Sequence, residues 1–204
     1  MFAPALRPAA LGLTLGILVA TAPATADEKS AEKPVDLKVG DPAPAFQAVD
    51  ELGLDWKAVD HYGKKWVVVY FYPGDFTPGC TAQANAFRDA MNKLTDQGVE
   101  VVGVSCDSIK THDLFKRAQK LNFTLLSDED GALAKQFGVP VKEGAQVKAK
   151  DADGKPIEFR RNLTAARWTF VVGKDGKIAY KNTKVTPADD AKRITEFITK
   201  AGEK

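Results

Sequence analysis

WVVVYFYPGDFTPGCTAQANAFRD, residues 66–89, contains a strand, a turn and a helix in direct succession. Its first six residues are all β-branched or aromatic, which is typical of a strand buried on both faces. A Pro- and Gly-rich turn follows at residues 73–79, and the residues beyond it predict a helix that ends at Gly98. The expected apolar face of this helix consists of Ala82, Ala86, Ala90 and Leu94, with Phe87 and Met91 beside them.

Strand-like and helix-like patterns continue to alternate on the carboxyl side of this stretch. Strands are predicted at 99–105, 123–126, 168–172 and 178–180, helices at 114–121, 132–137 and from 186 onward, and a further hairpin around 151–154. This order predicts an α/β domain of three layers, with its sheet between helices. Because active-site loops of such sheets follow the carboxyl ends of parallel strands, residues 73–79 are expected to lie at the site.

The composition indicates an ordinary globular protein. The 204 residues are 44% hydrophobic and 27% charged, and 29 basic against 27 acidic residues leave a net charge of +2. This balance argues against a nucleic-acid-binding protein that depends on bulk charge. Two cysteines are too few for a disulfide scaffold or an all-cysteine metal site.

The amino-terminal residues have the pattern of an export signal. Arg7 is the only charged residue among residues 1–26, an apolar run follows, and Ala24-Thr25-Ala26 forms a cleavage site. An uncleaved membrane anchor is the alternative, but the apolar run is short for one. We therefore predict a signal peptide at 1–26, a flexible leader at 27–38 and one domain at 39–204. The mature protein is expected to be exported, periplasmic or secreted, with no membrane attachment after cleavage.

Cys80 is the principal candidate for chemistry. Thr77 is a plausible helix N-cap and Pro78 suits the first helical position, so Cys80 falls in the first turn. Free backbone N–H groups and the helix dipole favour an anion there, and so favour the thiolate over the thiol. The alternative is that Cys80 is simply a small buried apolar residue.

The motif at residues 73–80, P-x-x-x-T-x-x-C, resembles the peroxiredoxin signature. Its flanks, Phe71-Tyr72 and Phe87-Arg88-Asp89, are similar to the Q-type, or bacterioferritin-comigratory, subfamily, as are residues 102–105, 122–128 and 167–170. The similarity extends over roughly residues 37–201. It implies a thioredoxin-like three-layer sandwich with a mixed central sheet. It also implies a thiol-dependent peroxidase that reduces hydrogen peroxide and organic hydroperoxides without a metal or organic cofactor.

The resemblance also implies roles for individual residues. Cys80 would attack a peroxide oxygen and become a sulfenic acid. The Thr77 hydroxyl would accept a hydrogen bond from the peroxide and donate one to the sulfur, and Arg167 would hold both thiolate and peroxide. Without the resemblance, Arg167 would be interpreted as a surface arginine in a strand.

Three further residues complete this expected site. The N–H group of Gly79 would serve as a donor, as would that of Cys80. Pro73 would shield the thiolate from water. Gln83 stands at a position that is often Glu in the family and orients the arginine; the alternative for Gln83 is a solvated residue of the first helical turn.

The chain departs from the family at the resolving cysteine. Many Q-type members carry it five residues after the peroxidatic cysteine, where this chain has Asn85. Either the enzyme is of the one-Cys type, reduced by an external thiol or a thioredoxin-like protein, or Cys106 resolves the sulfenic acid. We favour the one-Cys type, with Cys106 as a semi-buried thiol at a strand end. Residues 141–161 are longer than in compact members and are expected to shape the substrate mouth or a contact surface.

The sequence also bears on other functions. His61 and His112 lack metal-ligand spacing with the cysteines, so no metal site is expected. A thiol–disulfide oxidoreductase of the same fold is disfavoured because Thr77 replaces the first cysteine of a C-x-x-C motif. A redox-sensing or chaperone-like interaction protein would use Cys80 as a switch without turnover. The expected partners are a peroxide and the thiol reductant, not nucleic acid, and the expected assembly is a monomer or weak homodimer.

Overall fold

The structure is a computed structural model that describes residue 1 and residues 35–202. Apart from Met1, the predicted signal peptide lies outside the described residues, as do residues 27–34 of the predicted leader and residues 203–204 of the predicted domain.

The described residues form eleven strands and four α-helices. The strands are β1 (Gln47–Asp50), β2 (Asp55–Lys57), β3 (Trp66–Phe71), β4 (Val99–Ser105), β5 (Thr124–Ser127), β6 (Val141–Glu143), β7 (Gln146–Lys150), β8 (Pro156–Arg160), β9 (Leu163–Ala165), β10 (Trp168–Val172) and β11 (Ile178–Asn182). The helices are α1 (Pro78–Asp96), α2 (Ile109–Gln119), α3 (Ala132–Gln136) and α4 (Asp190–Gly202). Single 3₁₀ turns precede β3, at Ala58–Asp60, and α4, at Pro187–Asp189.

A seven-stranded mixed sheet forms the centre, in the order β11-β10-β3-β4-β5-β1-β2. Strands β3, β4 and β5 are parallel, and the antiparallel strands β10 and β1 flank them. Because β3 and β4 lie inside the sheet, their side chains are covered on both faces, which explains the unbroken apolar runs in their sequences. The strand predicted at residues 66–71 is confirmed with the same bounds.

Successive side chains of β3 supply the two halves of the core. Val67, Val69 and Phe71 pack on one face of the sheet with Leu133 and Ala134 of α3. On the other face, Val68 and Tyr70 pack against three helices, through Phe87 and Leu94 of α1, Phe115 of α2, and Ala191, Ile194 and Ile198 of α4. The result is the expected three-layer sandwich.

The predicted apolar face of α1 is confirmed except at Ala82: Phe87 and Leu94 are buried, and Ala86, Ala90 and Met91 are partly buried against the same half of the core. Ala82 is exposed, and the buried side chains are Cys80, Gln83, Ala84, Phe87 and Leu94. An alanine buries little apolar area, so a repeat of alanines constrains a helix less than one large side chain such as Phe87. The helix ends at Asp96, and Gly98 follows it with a φ of +70°, a conformation that glycine adopts without strain.

Several features lie outside the central sheet, and one of them is the antiparallel pair of β6 and β9. Strands β7 and β8 pair only with each other, as the predicted hairpin, and we call them the ribbon. The amino-terminal residues pack on the domain from before Val39, because Lys181 donates to Asp36 Oδ1 at 2.9 Å and to the Leu37 carbonyl at 2.8 Å. No helix within residues 35–202 is both long and apolar enough to cross a membrane.

Candidate active site

The site begins where β3 ends and α1 starts. Cys80 lies in the first turn of α1, with Pro78 at the start of the helix, and its side chain is buried. The first N–H groups of a helix have no partner within it, so those of Gly79 and Cys80 are available to an anion or a peroxide oxygen.

Thr77 precedes the helix with an extended backbone, φ −90° and ψ 145°. Thr77 occupies the predicted N-cap position, but its hydroxyl makes no capping hydrogen bond and instead donates to the Gly74 carbonyl at 3.1 Å. The expected donation to the Cys80 sulfur is therefore not what the structure has, since the loop turns the Gly74 carbonyl toward that proton. The oxygen lone pairs of Thr77 stay available to accept a hydrogen bond.

Arg167 contacts the cysteine from the connection between β9 and β10. Its Nη2 donates to Cys80 Sγ at 3.1 Å. The guanidinium carries a fixed charge, so this is a charged donor aimed at the sulfur. Arg167 also limits the space at Gly79, where an added Cβ would lie 3.4 Å from Nη2.

Gln83 is fully buried beneath this arginine rather than solvated. Its Oε1 accepts a hydrogen bond from Arg167 Nη1, and its Nε2 donates to Asp190 Oδ2 at 2.8 Å. Asp190 Oδ2 also accepts from the Thr169 hydroxyl at 2.7 Å. These bonds connect α4, α1 and β10 to the guanidinium that holds the sulfur.

Asp190 is a site residue that the sequence did not reveal. Asp189 and Asp190 together suggested only acidic residues at a helix start, which the helix dipole favours. The structure exposes Asp189 and buries Asp190 completely. Burial raises the pKa of Asp190, while the hydrogen bonds from Thr169 and Gln83 oppose this effect. Adjacent identical residues carry no signal that separates the two roles.

Pro73 lines a groove of about 280 Å³. The groove is mostly apolar, and its other lining residues come from the region of β6 and β9: Pro140, Val141, Lys142, Thr164, Ala165 and Ala166. Part of the predicted mouth segment therefore borders the loop that carries the cysteine. An apolar group of a substrate would fit this groove.

A second cluster of buried polar residues contacts the loop 73–79 through Asp75. Asp75, Asp107, His112 and Arg161 are each at most 6% exposed. His112 Nδ1 lies 2.8 Å from Asp75 Oδ2, and Arg161 Nε donates to Asp107 Oδ1 at 2.8 Å. Burial raises the pKa of Asp107, and so does Asp75, against the opposing charge of Arg161. No sequence pattern indicated this cluster.

Cys106 lies just beyond the end of β4, at the same edge of the sheet as Cys80 but on the opposite face. Cys106 packs in the core half that contains α3, and Cys80 packs in the half that contains α1. Both thiols are buried and free. Burial, with help from Asp128 and Asp107, raises the pKa of Cys106 to about 12.

The remaining candidates lie away from the cysteine. Asn85 Nδ2 lies 3.4 Å from Gln119 Oε1, and its Oδ1 accepts from Arg88 at 3.0 Å. His61 bonds Glu100 at 2.8 Å. Within residues 35–202, no three His, Cys, Asp or Glu side chains are grouped to hold a metal ion.

Comparisons with known proteins agree with this geometry. The model of the AhpC/TSA family matches residues 39–181. A putative peroxiredoxin bcp of Coxiella burnetii is 40% identical over 145 residues, which are 71% of this chain and 87% of that protein. Peroxiredoxin Bcp of Escherichia coli is 40% identical over 144 residues, 71% of this chain and 84% of that protein.

Solved structures give the same result. Peroxidoxin BcpB of Mycobacterium tuberculosis superimposes with a TM-score of 0.67 at 27% identity, over 81% of this chain and 98% of that one. The bacterioferritin comigratory protein of Xanthomonas campestris, studied for its alkyl peroxide reduction, has a TM-score of 0.62 at 31% identity. That match covers 78% of this chain and 92% of the other.

Proposed function

This chain belongs to the AhpC/TSA family and is a thiol-dependent peroxidase, and on that premise we propose that it is a one-Cys enzyme whose peroxidatic residue is Cys80. The observation that carries the assignment of Cys80 is the 3.1 Å contact between its sulfur and Arg167, at a helix start. The thiolate attacks one peroxide oxygen, so that an S–O bond forms and the O–O bond breaks. The leaving oxygen takes up a proton and departs as water or an alcohol.

The surrounding donors stabilise charge on the leaving oxygen. Arg167 supplies a fixed cation, and the N–H groups of Gly79 and Cys80 supply backbone donors in a site that excludes water. Thr77 accepts the hydrogen bond of the incoming peroxide, because its own proton is engaged by Gly74. Pro73 has no N–H group of its own, and its proposed role is to shield the sulfur from water.

The position of Cys106 supports the one-Cys assignment. A disulfide needs Cα atoms within about 7 Å and facing side chains. Cys106 packs in the other half of the core from Cys80, so the two buried thiols do not share one packing cluster in this structure. Its raised pKa, about 12, also makes it a poor attacking thiolate. Asn85 supplies no thiol at the usual position.

An external thiol therefore completes the cycle. A first thiol attacks the Cys80 sulfenic acid, which releases water and leaves a mixed disulfide. A second thiol reduces this disulfide and regenerates Cys80. We propose a small thiol or a thioredoxin-like protein as the donor.

Two substrate classes fit the site. Hydrogen peroxide needs only the donors around Cys80. Organic hydroperoxides would place their apolar group in the groove beside Pro73, where Pro140, Val141 and Ala165 provide the lining.

The place of action rests on the sequence alone. Residues 1–26 support export to the periplasm or the medium. The proposed assembly of the exported protein is a monomer or weak homodimer. Mature protein recovered from the periplasm or medium with Asp27 as its first residue would support export. Full-length protein in the cytosol would contradict it.

An intact-mass experiment tests the mechanism. Reduced protein receives one equivalent of hydrogen peroxide in the presence of a sulfenic-acid trap, for the wild type and for the Cys80→Ser and Cys106→Ser variants. We expect the trap on the wild type and on C106S, and none on C80S. A product two hydrogens lighter that disappears in C106S would make Cys106 the resolving thiol and overturn the one-Cys assignment. No change at either cysteine would overturn the role of Cys80.

A further inference from the structure

Asp75, five residues before Cys80, has every polar atom bonded within the buried cluster. Its N–H donates to Asp107 Oδ2 at 2.8 Å, and its carbonyl accepts from Arg161 Nη2 at 2.9 Å. Its carboxylate accepts from the Tyr72 hydroxyl and contacts His112, both at 2.8 Å. The loop that leads to the cysteine is therefore fixed at its middle, on the backbone as well as the side chain.

Arg161 joins this cluster from outside the central sheet. It follows directly on β8 of the ribbon, at the end of the segment 141–161. Its Nε pairs with Asp107 while its Nη2 bonds the Asp75 carbonyl, so one guanidinium bridges both. The fork geometry of arginine makes this bridge possible, and the single ammonium of lysine could not reproduce it.

The ribbon makes a second contact with the same loop. Phe76 has a φ of +59°, a conformation that is uncommon for a residue with a side chain. Its ring packs between Phe115 of α2 and Phe159 of β8, at centroid distances of 5.2 and 6.1 Å. Phe159 of the ribbon and Arg161 directly after it thus contact the loop at two successive residues, Phe76 and Asp75.

We propose that Arg161 is a positioning residue for the peroxidase reaction: it holds the loop 73–79 so that Thr77 and Pro73 stay aligned with Cys80. The proposal rests on the proposed function of Cys80. Arg161 touches neither the sulfur nor the substrate and acts through the Asp75 backbone. Removing it would leave the buried Asp107 carboxylate without its cation and free the Asp75 carbonyl, which would allow the loop to move.

Two substitutions distinguish the effect of the two hydrogen bonds of Arg161 from the effect of its positive charge. Arg161→Lys keeps a cation beside Asp107 but loses the second hydrogen bond, and Arg161→Gln loses the cation. Arg160→Lys and Arg160→Gln are matched controls, because Arg160 is the neighbouring residue of β8, is exposed, and forms no salt bridge with residues 35–202. If R161Q does not fold, the comparison of R161K with the wild type still tests the proposal.

Three rates are measured on folded protein: sulfenic acid formation with hydrogen peroxide, Cys80 alkylation by iodoacetamide, and amide hydrogen exchange of residues 74–80. For R161K we expect sulfenic acid formation to slow about tenfold or more, because small displacements of positioning groups have effects of this size. Alkylation needs no alignment and should stay equal or rise, and exchange should accelerate in the loop but not in β3. The Arg160 variants should match the wild type.

The outcomes distinguish this inference from the proposed function. If wild type and R161K form sulfenic acid at the same rate, with the same loop exchange, Arg161 does not position the loop. If R161K loses only thermal stability, its role is structural and the inference is overturned. If the wild type forms no sulfenic acid at Cys80, the proposed function fails, and loop exchange still reports whether Arg161 fixes the loop.

Discussion

Asp190 accepts a hydrogen bond from Gln83 at 2.8 Å, although 107 positions separate them in the sequence. Gln83 in turn accepts from Arg167, whose other nitrogen contacts the Cys80 sulfur. An amide can rotate so that either its oxygen or its nitrogen faces the arginine. Asp190 accepts only, so it turns the nitrogen of Gln83 toward itself and the oxygen toward Arg167. The orientation of the arginine thus depends on a residue of the last helix.

We predict that the acceptor at position 190 matters more than its charge. Asp190→Asn keeps an oxygen for Gln83 and Thr169, so sulfenic acid formation should stay close to the wild-type rate. Asp190→Ala removes the acceptor, and the rate should fall about tenfold as Arg167 loses its fixed orientation. Stopped-flow measurement of the reaction with peroxide gives these rates. Asp189→Ala, at the exposed neighbouring residue, is the control and should leave the rate of sulfenic acid formation unchanged. Equal rates for D190A and D190N would contradict the prediction.

The Thr77 hydroxyl gives a second prediction. Thr77→Ser keeps the oxygen and its bond to Gly74, so the rate with hydrogen peroxide should change little. Thr77→Val has nearly the same shape but offers the peroxide no acceptor. We expect its rate to fall about a hundredfold, a size typical for loss of one aligned polar group at a reacting centre. Both variants should unfold at similar temperatures, and a fast T77V enzyme would exclude Thr77 from peroxide binding.

The sequence predicted what depends on local patterns and missed what depends on distant contacts. The strand at residues 66–71 and the helix start at Pro78 follow from apolar runs and the conformational limits of proline. The motif at residues 73–80 carried the chemistry of Cys80. In contrast, Asp190 and Arg161 reach the site only through tertiary packing, and nothing beside them in the sequence distinguishes them from Asp189 and Arg160.

The protonation of His112 couples the buried cluster to pH. Its Nδ1 faces the Asp75 carboxylate and its Nε2 lies 3.2 Å from the Leu126 carbonyl, so both nitrogens must carry protons to bond these acceptors. Burial opposes the charge, but the charges of Asp75 and Asp107 prevail and raise the pKa of His112 above its usual 6.5. A raised histidine pKa stabilises the fold fully below the unfolded value, and this stabilisation is lost as the pH rises through the folded value.

We therefore expect the free energy of unfolding to decrease as the pH rises above about 6.5. Urea unfolding at several pH values measures this slope. The protein has only two histidines, so His61→Asn leaves His112 as the sole source of imidazole signals in a proton NMR titration. We expect its midpoint above 6.5 and close to the midpoint of the stability change. An imidazole that titrates below 6.5 would mean that burial outweighs Asp75 and that His112 is neutral.

The last prediction concerns Gly74, over which the guanidinium of Arg161 lies. A Cβ at Gly74 would lie 2.0 Å from the central carbon of that guanidinium, and the φ of +153° itself favours glycine. The end of an arginine can usually move aside, but here Asp107 holds it in a buried ion pair. Gly74→Ala should therefore destabilise the fold by about 1–3 kcal/mol, as overpacking does, and slow the reaction with peroxide.

A matched glycine separates the clash from backbone strain. Gly154 also has a positive φ, +78°, but no atom lies within 4 Å of an added Cβ. Gly154→Ala should therefore cost only the strain and leave the peroxide rate unchanged. In an Arg161→Ala background the clash disappears, so Gly74→Ala should cost less there than in the wild type, and the difference is the coupling energy of the pair. If the cost is the same in both backgrounds, Arg161 yields freely, and the contact between the ribbon and the loop is too weak to align Thr77 with Cys80.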